Sequence, residues 1–167
     1  MNQVSFHPIG LIHSPFQATK GMPIQPASAR EFCGHIEIFQ EYAEGLKDIE
    51  GFSHIVLLYH FHLSDGYKLE VKPFLDENIH GVFATRAPRR PNPIGMSVVK
   101  LINRVNNILK IGNVDIIDGT PLLDIKPFVP EFDACEEITT GWLRNENQSI
   151  IYPANDGRFD TKVINEK

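Results

Sequence analysis

This sequence lacks the features that mark several large classes of protein. It has two cysteines, Cys33 and Cys135, and its N-terminus does not show the basic-then-apolar order of a signal peptide. We therefore expect free thiols in a reducing cytoplasm. No apolar run approaches the roughly 20 residues of a membrane span, so no membrane association is expected. No two glycines are separated by a single residue, so the Gly-x-Gly core of a Rossmann cofactor fingerprint is absent.

What is present is the composition of one globular domain. The 167 residues are 42% hydrophobic and 22% charged, which suits a packed core. The formal net charge of −5 disfavours non-specific nucleic-acid binding by the whole surface. However, the charge is segregated, because residues 31–50 carry six acidic side chains whereas residues 86–104 contain none. The pattern predicts either a basic face or a solvated loop and strand; the basic residues are Arg86, Arg89, Arg90, Lys100 and Arg104.

The apolar pattern predicts a mainly β protein. Alternating or continuously apolar runs indicate strands at 9–13, 34–39, 53–62, 80–85, 97–105, 108–117 and 122–125. Asn106-Asn107 indicates a hairpin, because asparagine tolerates a positive φ. Short helices are expected at 41–49 and 132–143, the second with Asp133 as its N-cap. Without βαβ alternation, the expected fold class is all-β: a compact antiparallel barrel of six or seven strands with one or two short helices.

The domain organisation expected from this pattern is simple. Residues 1–143 would form the barrel domain, and residues 144–167 a polar C-terminal tail that could add one strand at 150–152. Residues 17–31 contain glycine and proline and few large apolar side chains, so a loop is expected there. Long ordered loops in compact domains are usually functional.

Residues 81–97 form the most unusual segment of the chain. A short apolar entry leads directly into three arginines and three prolines. Proline fixes its own φ and pushes the preceding residue toward extended backbone, so we expect a stiff loop that holds Arg86, Arg89 and Arg90 in set directions. Gly95 should end the loop where a side chain would obstruct a ligand or a second backbone. The alternative is a rigid turn or dimer contact with solvated arginines.

Four blocks of the sequence, in order, resemble the TrmO/TsaA-like family. They read PIGLIHSPF at 8–16, LKDIEGFSHI at 46–55, TRAPRRPNPIGMS at 85–97 and DGTPLLDIKP at 118–127. The resemblance implies a β-barrel methyltransferase that uses S-adenosylmethionine, in a short form without the C-terminal extension of longer members. It also implies a tRNA substrate with N6-threonylcarbamoyladenosine beside the anticodon, methylation at N6, and a homodimer with the cofactor site near the interface.

The resemblance also implies a set of site residues. The implied cofactor contacts come from three matching segments and the first arginine of the loop: Pro23, Ile24, Gln25, His62, Leu63, Arg86, Asp118, Gly119, Thr120 and Pro121. Arg86 adjoins a predicted strand, so we expect it to be well fixed and to contact the cofactor or the reacting base. Contacts to the tRNA anticodon loop are expected from Arg89, Arg90, Lys100 and Lys126.

Methyl transfer from a sulfonium is an in-line displacement, so much of the protein's task is positioning. A carbamoyl group weakens the lone pair of N6 and acidifies its N–H, so a general base could help. Asp118, Asp124 and His62 are the candidate bases, and their order is open.

Two other functions remain open from the sequence. His54, His60 and His62 share parity on one predicted strand and could serve a metal-dependent hydrolase with Asp115 or Asp118. Their spacing and the lack of a nearby cysteine favour a hydrogen-bonded histidine row instead, so no metal is expected. A non-catalytic RNA- or nucleotide-binding barrel is the second alternative.

Overall fold

The structure, a computed structural model, describes residues 3–24, 29, 32–133, 137–145, 154–157 and 159. Within these ranges the chain forms eight strands: β1 (Gly10–His13), β2 (Cys33–Ile38), β3 (His54–His60), β4 (Glu70–Val71), β5 (His80–Gly81), β6 (Ile94–Val105), β7 (Ile108–Gly112) and β8 (Thr120–Pro127). The described helices are short: the α-helix α1 (Pro130–Asp133) and 3₁₀ helices at Gln40–Leu46, Ile49–Gly51, Val82–Ala84 and Gly141–Asn145.

Six strands close into an antiparallel barrel in the order β1-β2-β7-β6-β3-β8. β4 and β5 form a separate two-stranded sheet. Alternate residues of each strand point inward; on β3, for example, Ile55, Leu57 and Tyr59 are buried while their neighbours are more exposed. The aliphatic side chains of all six strands fill the interior and make a single core. The predicted fold class is therefore confirmed.

The strand register defines two ends of the barrel. His60 pairs with Ile94, Ile12 with Thr120, and Cys33 with Gly112, so these strand termini meet at one end, which we call the cavity end. The opposite end, which we call the hairpin end, carries the β6–β7 turn. There Asn106 has φ 55°, and the Asn107 side chain donates to the Ile38 carbonyl at 2.7 Å. The predicted asparagine hairpin is confirmed.

The hairpin end is closed by the two 3₁₀ helices that replace the single helix expected at 41–49. Leu46 is buried in the core, and Ile49 is partly buried against the same core. The chain does not remain one helix because Asp48 adopts a left-handed backbone, φ 67°, between the two segments. That residue interrupts the helical hydrogen bonding.

Two predicted elements near the cavity end were wrong. The strand expected at 80–85 stops at Gly81, and the next three residues form a 3₁₀ turn capped by the Thr85 hydroxyl, which donates to the Val82 carbonyl at 2.9 Å. The proline-rich segment is also shorter than expected, because β6 begins at Ile94. Strand pairing can start there because no proline follows Pro93 in β6.

Gly95 lies within β6, opposite Tyr59. A Cβ at this position would come within 2.2 Å of the Tyr59 ring and 2.9 Å of the Phe61 ring. A side chain would indeed be obstructed there, but the prediction was wrong in its details, because Gly95 lies in a strand and the obstruction is two aromatic rings rather than a ligand or a backbone. We name residues 85–93 the arginine loop.

The helix expected at 132–143 is wrong for the described part of that range. α1 ends at Asp133, and the next described helix begins at Gly141. Asp133 lies in the last position of α1, where its carboxylate accepts the Val129 N–H at 2.8 Å, and so it does not act as an N-cap. Residues 150–152, expected as a strand, lie outside the described residues. No helix within the described ranges is long and apolar enough to cross a membrane.

Candidate active site

A cavity of about 770 Å³ lies at the cavity end of the barrel. Its floor is made by barrel residues on β3, β6 and β8 and in the turn after β7: Tyr59, Gly95, Asp115, Ile116 and Thr120. The volume falls within the usual range for small-molecule sites, roughly 300–1,000 Å³. Most of the lining is apolar, with a few polar groups that could fix the orientation of a ligand.

The arginine loop forms one wall of this cavity. Arg86 and Arg90 both line it, and so does Asn92. The Arg90 guanidinium folds back and donates through Nη1 to the carbonyls of Thr85 at 3.2 Å and Ala87 at 3.4 Å. Arg86 is exposed, and no hydrogen bond or ion pair of its side chain is found within the described ranges. The loop thus holds its own shape through Arg90 and leaves Arg86 to face the cavity.

Segments near the C-terminus form another wall. Trp142 donates its indole N–H to the Ala84 carbonyl at 2.9 Å and stacks on His80, with ring centroids 4.6 Å apart. Further along, Asn155 exchanges backbone hydrogen bonds with Gly21 and Met22. Trp142 and Asn155 both line the cavity, so this part of the chain contributes directly to its surface.

A hydrogen-bonded chain of three side chains lies at the floor. Ser97 donates to Asp115 Oδ1 at 2.8 Å, and the Tyr59 hydroxyl lies 3.1 Å from Ser97 Oγ. Burial raises the pKa of Asp115 to about 6, an effect that the Ser97 bond and the nearby positive charge of Arg86 partly offset. Burial also raises the pKa of the Tyr59 hydroxyl, so the phenol is neutral at physiological pH.

The structure brings together seven of the site residues predicted from the sequence. Those that line the cavity are Pro23, Ile24, His62, Leu63, Arg86, Arg90 and Thr120. Of these, Arg90 was expected to face RNA rather than the cavity. Gln25 lies outside the described residues. The roles assigned to these residues stay predictions.

Asp118 and its neighbours Gly119 and Pro121 are not among the cavity-lining residues. The Asp118 carboxylate accepts the Ser14 N–H at 3.0 Å and lies 3.4 Å from His13 Nδ1. The Ser14 bond is the main reason that its pKa lies below the usual range. In this structure the Asp118 turn ties β8 to β1, and Thr120 alone of the four-residue turn reaches the cavity.

The remaining predicted residues lie elsewhere on the barrel. Asp124 accepts the Ile125 N–H at 2.9 Å and pairs with Lys126 at 2.8 Å, and neither side chain lines the cavity. Arg89 donates to the Asp65 carbonyl at 3.1 Å, and Lys100 is exposed on β6 opposite His54. Their assignment to catalysis or RNA contact stays a prediction.

Two interpretations were left open for residues 86–104, and the first of them, one basic face that includes Arg104, does not fit the structure. Arg104 lies on β6 ten residues after Ile94, which is about 33 Å along an extended strand. It bonds at the hairpin end, to the Leu46 carbonyl at 2.8 Å and to Glu50 at 3.0 Å. A run of basic residues in sequence becomes two separate groups because a long strand connects the ends of the barrel.

The prediction that His54, His60 and His62 form a row on one strand is also wrong, because β3 ends at His60. His54 and His60 lie on the outer face of β3, whereas His62 follows the strand, donates its N–H to the His60 carbonyl and lines the cavity. Burial lowers the pKa of His62, with a smaller contribution from His60. No cluster of three or more His, Cys, Asp or Glu side chains able to hold a metal occurs in the described part of the chain.

Sequence reasoning did not assign Tyr59, Ser97 or Trp142 to the site, and it considered Asp115 only as a metal ligand. Tyr59 looks like an ordinary strand residue, and Ser97 was quoted only as the last residue of the block at 85–97; the barrel register brings both to the cavity end. Asp115 offered one signal, since it is a carboxylate in the apolar run from Val114 to Ile117. A charged side chain in such a run must find a partner or neutralise.

Comparison with known proteins gives a consistent family. Residues 11–134 match the family described as "tRNA-methyltransferase O N-terminal domain". A "probable S-adenosyl-L-methionine-binding protein" of Pyrococcus abyssi is 56% identical over 93% of this chain and 85% of its own length. The "tRNA (adenine(37)-N6)-methyltransferase" of Escherichia coli K12 is 36% identical over 87% of this chain and 66% of its own.

A solved structure supports the same grouping. The crystal structure of TrmO from Pseudomonas aeruginosa superposes with a TM-score of 0.71 and 38% identity over 84% of this chain. The present chain covers 63% of that solved chain. The similarity therefore spans most of this chain but only part of that longer protein.

Proposed function

Because this chain belongs to the family of the tRNA-methyltransferase O N-terminal domain, we propose that it transfers a methyl group from S-adenosylmethionine to N6 of an adenosine in tRNA. The finer form of the proposal is that the adenosine is N6-threonylcarbamoyladenosine beside the anticodon. The observation that supports the methyl-transfer proposal is that two of the family-like blocks, at 85–97 and 118–127, meet at one cavity through Arg86 and Thr120.

The residues of the cavity fit the proposed methyl donor. Apolar side chains such as Ile24 and Leu63 suit the flat faces of an adenine. Arg86 supplies positive charge for a carboxylate or a phosphate. S-adenosylmethionine supplies an activated methyl group when it is bound. The protein's own part is to orient the reactants and exclude water.

The arginine loop is the proposed contact for the anticodon loop. Bases in such loops are partly unstacked, so the target nucleotide can enter a cavity without breaking a duplex. Arg86 lines the cavity, and Arg89 and Arg90 lie farther along the same loop. Arginine pairs with phosphate and stacks on bases, so it suits contact with the target base at the cavity and with phosphates farther along the loop.

A homodimer is part of the proposal. Several exposed apolar side chains, Leu63, Phe83, Ile94 and Met96, line the cavity and are 38–75% exposed. A patch of this kind beside a site is typical of an interface or a ligand-binding groove. Sedimentation equilibrium at micromolar concentration tests this part; a monomer contradicts it. A tRNA substrate implies a cytoplasmic location.

The proposed reaction is tested by incubation of the protein with labelled S-adenosylmethionine and bulk tRNA, followed by nucleoside analysis. We expect label in N6-methyl-N6-threonylcarbamoyladenosine. The matched control is tRNA lacking the threonylcarbamoyl group, which should take up no label. Label in an unmodified adenosine would support the methyltransferase activity but contradict N6-threonylcarbamoyladenosine as the substrate. Binding of tRNA without any transfer would indicate a non-catalytic RNA-binding barrel instead.

A further inference from the structure

Asp115 is the one carboxylate among the described residues that line the cavity. The other titratable side chains in that lining are Tyr59, His62, Arg86 and Arg90. The arginines stay protonated, and burial keeps the Tyr59 phenol neutral. Of the described lining residues, only Asp115 and His62 can therefore accept a proton.

The side chains around Asp115 hold it in a fixed direction. A serine hydroxyl has one hydrogen, and Ser97 donates it to Asp115 Oδ1. In the 3.1 Å contact between Tyr59 and Ser97, the phenol must therefore be the donor. Two hydroxyls thus point in series toward the carboxylate, and both Tyr59 and Ser97 are buried. An acceptor oriented by buried donors is preorganised.

The candidate bases predicted from the sequence compare poorly with Asp115. Asp118 is bonded to the Ser14 N–H outside the cavity, and Asp124 is paired with Lys126. Both would have to lose these partners to reach a ligand in the cavity. His62 lines the cavity, but it is only half-buried, and its ring is hydrogen-bonded to the His60 backbone rather than oriented by buried side chains. Geometry therefore favours Asp115.

We propose that Asp115 accepts the proton released by the attacking nitrogen during methyl transfer. The inference rests on the proposed function. The nitrogen–carbon bond forms as the carbon–sulfur bond breaks, and the electron pair of the broken bond stays on sulfur. The nitrogen–hydrogen bond breaks, and its proton moves to the Asp115 carboxylate, from which it passes to water after product release. The pKa of about 6 makes this carboxylate a stronger base than an ordinary aspartate while leaving it ionised at neutral pH.

The groups that face Asp115 determine how its titration responds to substitution. Ser97 hydrogen-bonds the ionised form, and the Arg86 charge favours it; both lower the pKa of Asp115. Burial, the largest influence, raises it. Removing the Ser97 hydroxyl should therefore move the acid limb of the rate profile to higher pH.

The test is single-turnover methyl transfer to tRNA by Asp115→Asn, after its affinity for S-adenosylmethionine has been measured by calorimetry. We expect affinity within about threefold of wild type and a rate at least about 100-fold lower, as for loss of a general base. The matched control is Asp48→Asn, which replaces an exposed carboxylate at the hairpin end by a residue that also tolerates the left-handed backbone there. A wild-type rate for Asp115→Asn, or an equal loss in the control, overturns the inference.

A second variant covers the case in which Asp115→Asn does not fold. Ser97→Ala retains the carboxylate, and its single-turnover rate should titrate at a pH higher than that of wild type. An unchanged profile contradicts the inference. If Asp115→Asn transfers slowly because it no longer binds S-adenosylmethionine, Asp115 holds the donor instead and the inference is wrong. Failure of the wild-type protein to methylate any tRNA contradicts the proposed function itself.

Discussion

The two ends of the barrel use arginine in opposite ways. At the hairpin end, Arg104 donates to the Leu46 carbonyl, to Glu50 and to the Asn106 carbonyl. At the cavity end, Arg86 is exposed, and none of its side-chain donors has a partner among the described residues. An arginine whose donors are used inside the protein holds the fold, whereas one that faces a cavity is available to a ligand.

The same contrast appears between two carboxylates that are three positions apart. Hydrogen bonds lower the pKa of Asp118, which joins β1 to β8. Burial raises the pKa of Asp115, which lines the cavity. A carboxylate whose pKa is raised by burial in a cavity is typical of a functional site. A carboxylate held by hydrogen bonds between two strands is typical of a structural role. Position in the barrel, rather than residue type, separates the two roles.

The largest expected effects come from removing each of the two arginines, Arg86 and Arg104, in turn. Arg86→Ala should lower the rate at saturating tRNA by about 100-fold while leaving unfolding unchanged, because a charge that acts at the reacting centre is lost. Arg104→Ala should lower the free energy of unfolding by about 1–3 kcal/mol and retain the rate, because the Leu46 carbonyl loses its partner. Steady-state rates and urea unfolding measure the two effects. Equal effects of the two variants on both quantities would remove the distinction between the ends.

The next effect is on the pH dependence of stability, and its sign differs between the two carboxylates. Asp115 has a folded-state pKa of about 6 against an ordinary 3.8, so the folded protein keeps a proton that the unfolded chain has released. Its contribution to stability should fall by about 3 kcal/mol as the pH rises from about 4 to 6. Asp118 has a folded-state pKa below 3.8, so its contribution to stability is present above pH 3.8 and is lost as the pH falls below 3.8 through its folded-state pKa.

Urea unfolding of Asp115→Asn and Asp118→Asn from pH 3 to pH 8 checks these signs. Asp115→Asn should be more stable than wild type above pH 6 and similar to it near pH 4. Asp118→Asn should be less stable than wild type at neutral pH, with the difference narrowing in acid. Parallel curves of stability against pH for wild type and both variants would show that neither carboxylate changes its pKa on folding.

The smallest effect is on the salt dependence of tRNA binding. Among the described residues, Arg90 bonds only through Nη1, to the Thr85 and Ala87 carbonyls, which leaves Nε and Nη2 for a phosphate. Arg90→Ala should weaken binding and lower the slope of log affinity against log salt by about 0.7–0.9. The matched control is Lys47→Ala, an exposed cation at the hairpin end, which should leave the slope unchanged. An unchanged slope for Arg90→Ala would make that loop structural.

Local patterns in the sequence account for most of the fold. Alternation on β2 and the asparagine turn after β6 were sufficient to predict strands and a hairpin, because both depend on neighbours in the chain. The boundaries near the arginine loop could not be predicted in this way. The 3₁₀ turn at Val82–Ala84 depends on Thr85 and on contact with Trp142, which lies far along the sequence.

The candidate site was only partly predictable for a related reason. The arginine loop and the turn at Thr120 carry unusual residues and could be singled out. Tyr59 carries no such mark, and Ser97 is only the last residue of the block at 85–97. Their place at the cavity depends on register across β3 and β6 and on the closure of the barrel. Segregated charge was a poor guide for Arg104, because sequence distance does not show that ten residues of extended strand separate it from Ile94 at the cavity end.

The closure of the barrel between β1 and β8 also has a consequence for the order of folding. Ser14 bonds to Asp118, which lies 104 residues later in the chain, whereas the β6–β7 hairpin joins close neighbours. Contacts between distant residues form late, because a long loop must be closed before they contribute. A nascent chain can thus form the hairpin as soon as it is synthesised, but Asp115 and Thr120 reach the cavity floor only when the barrel is complete.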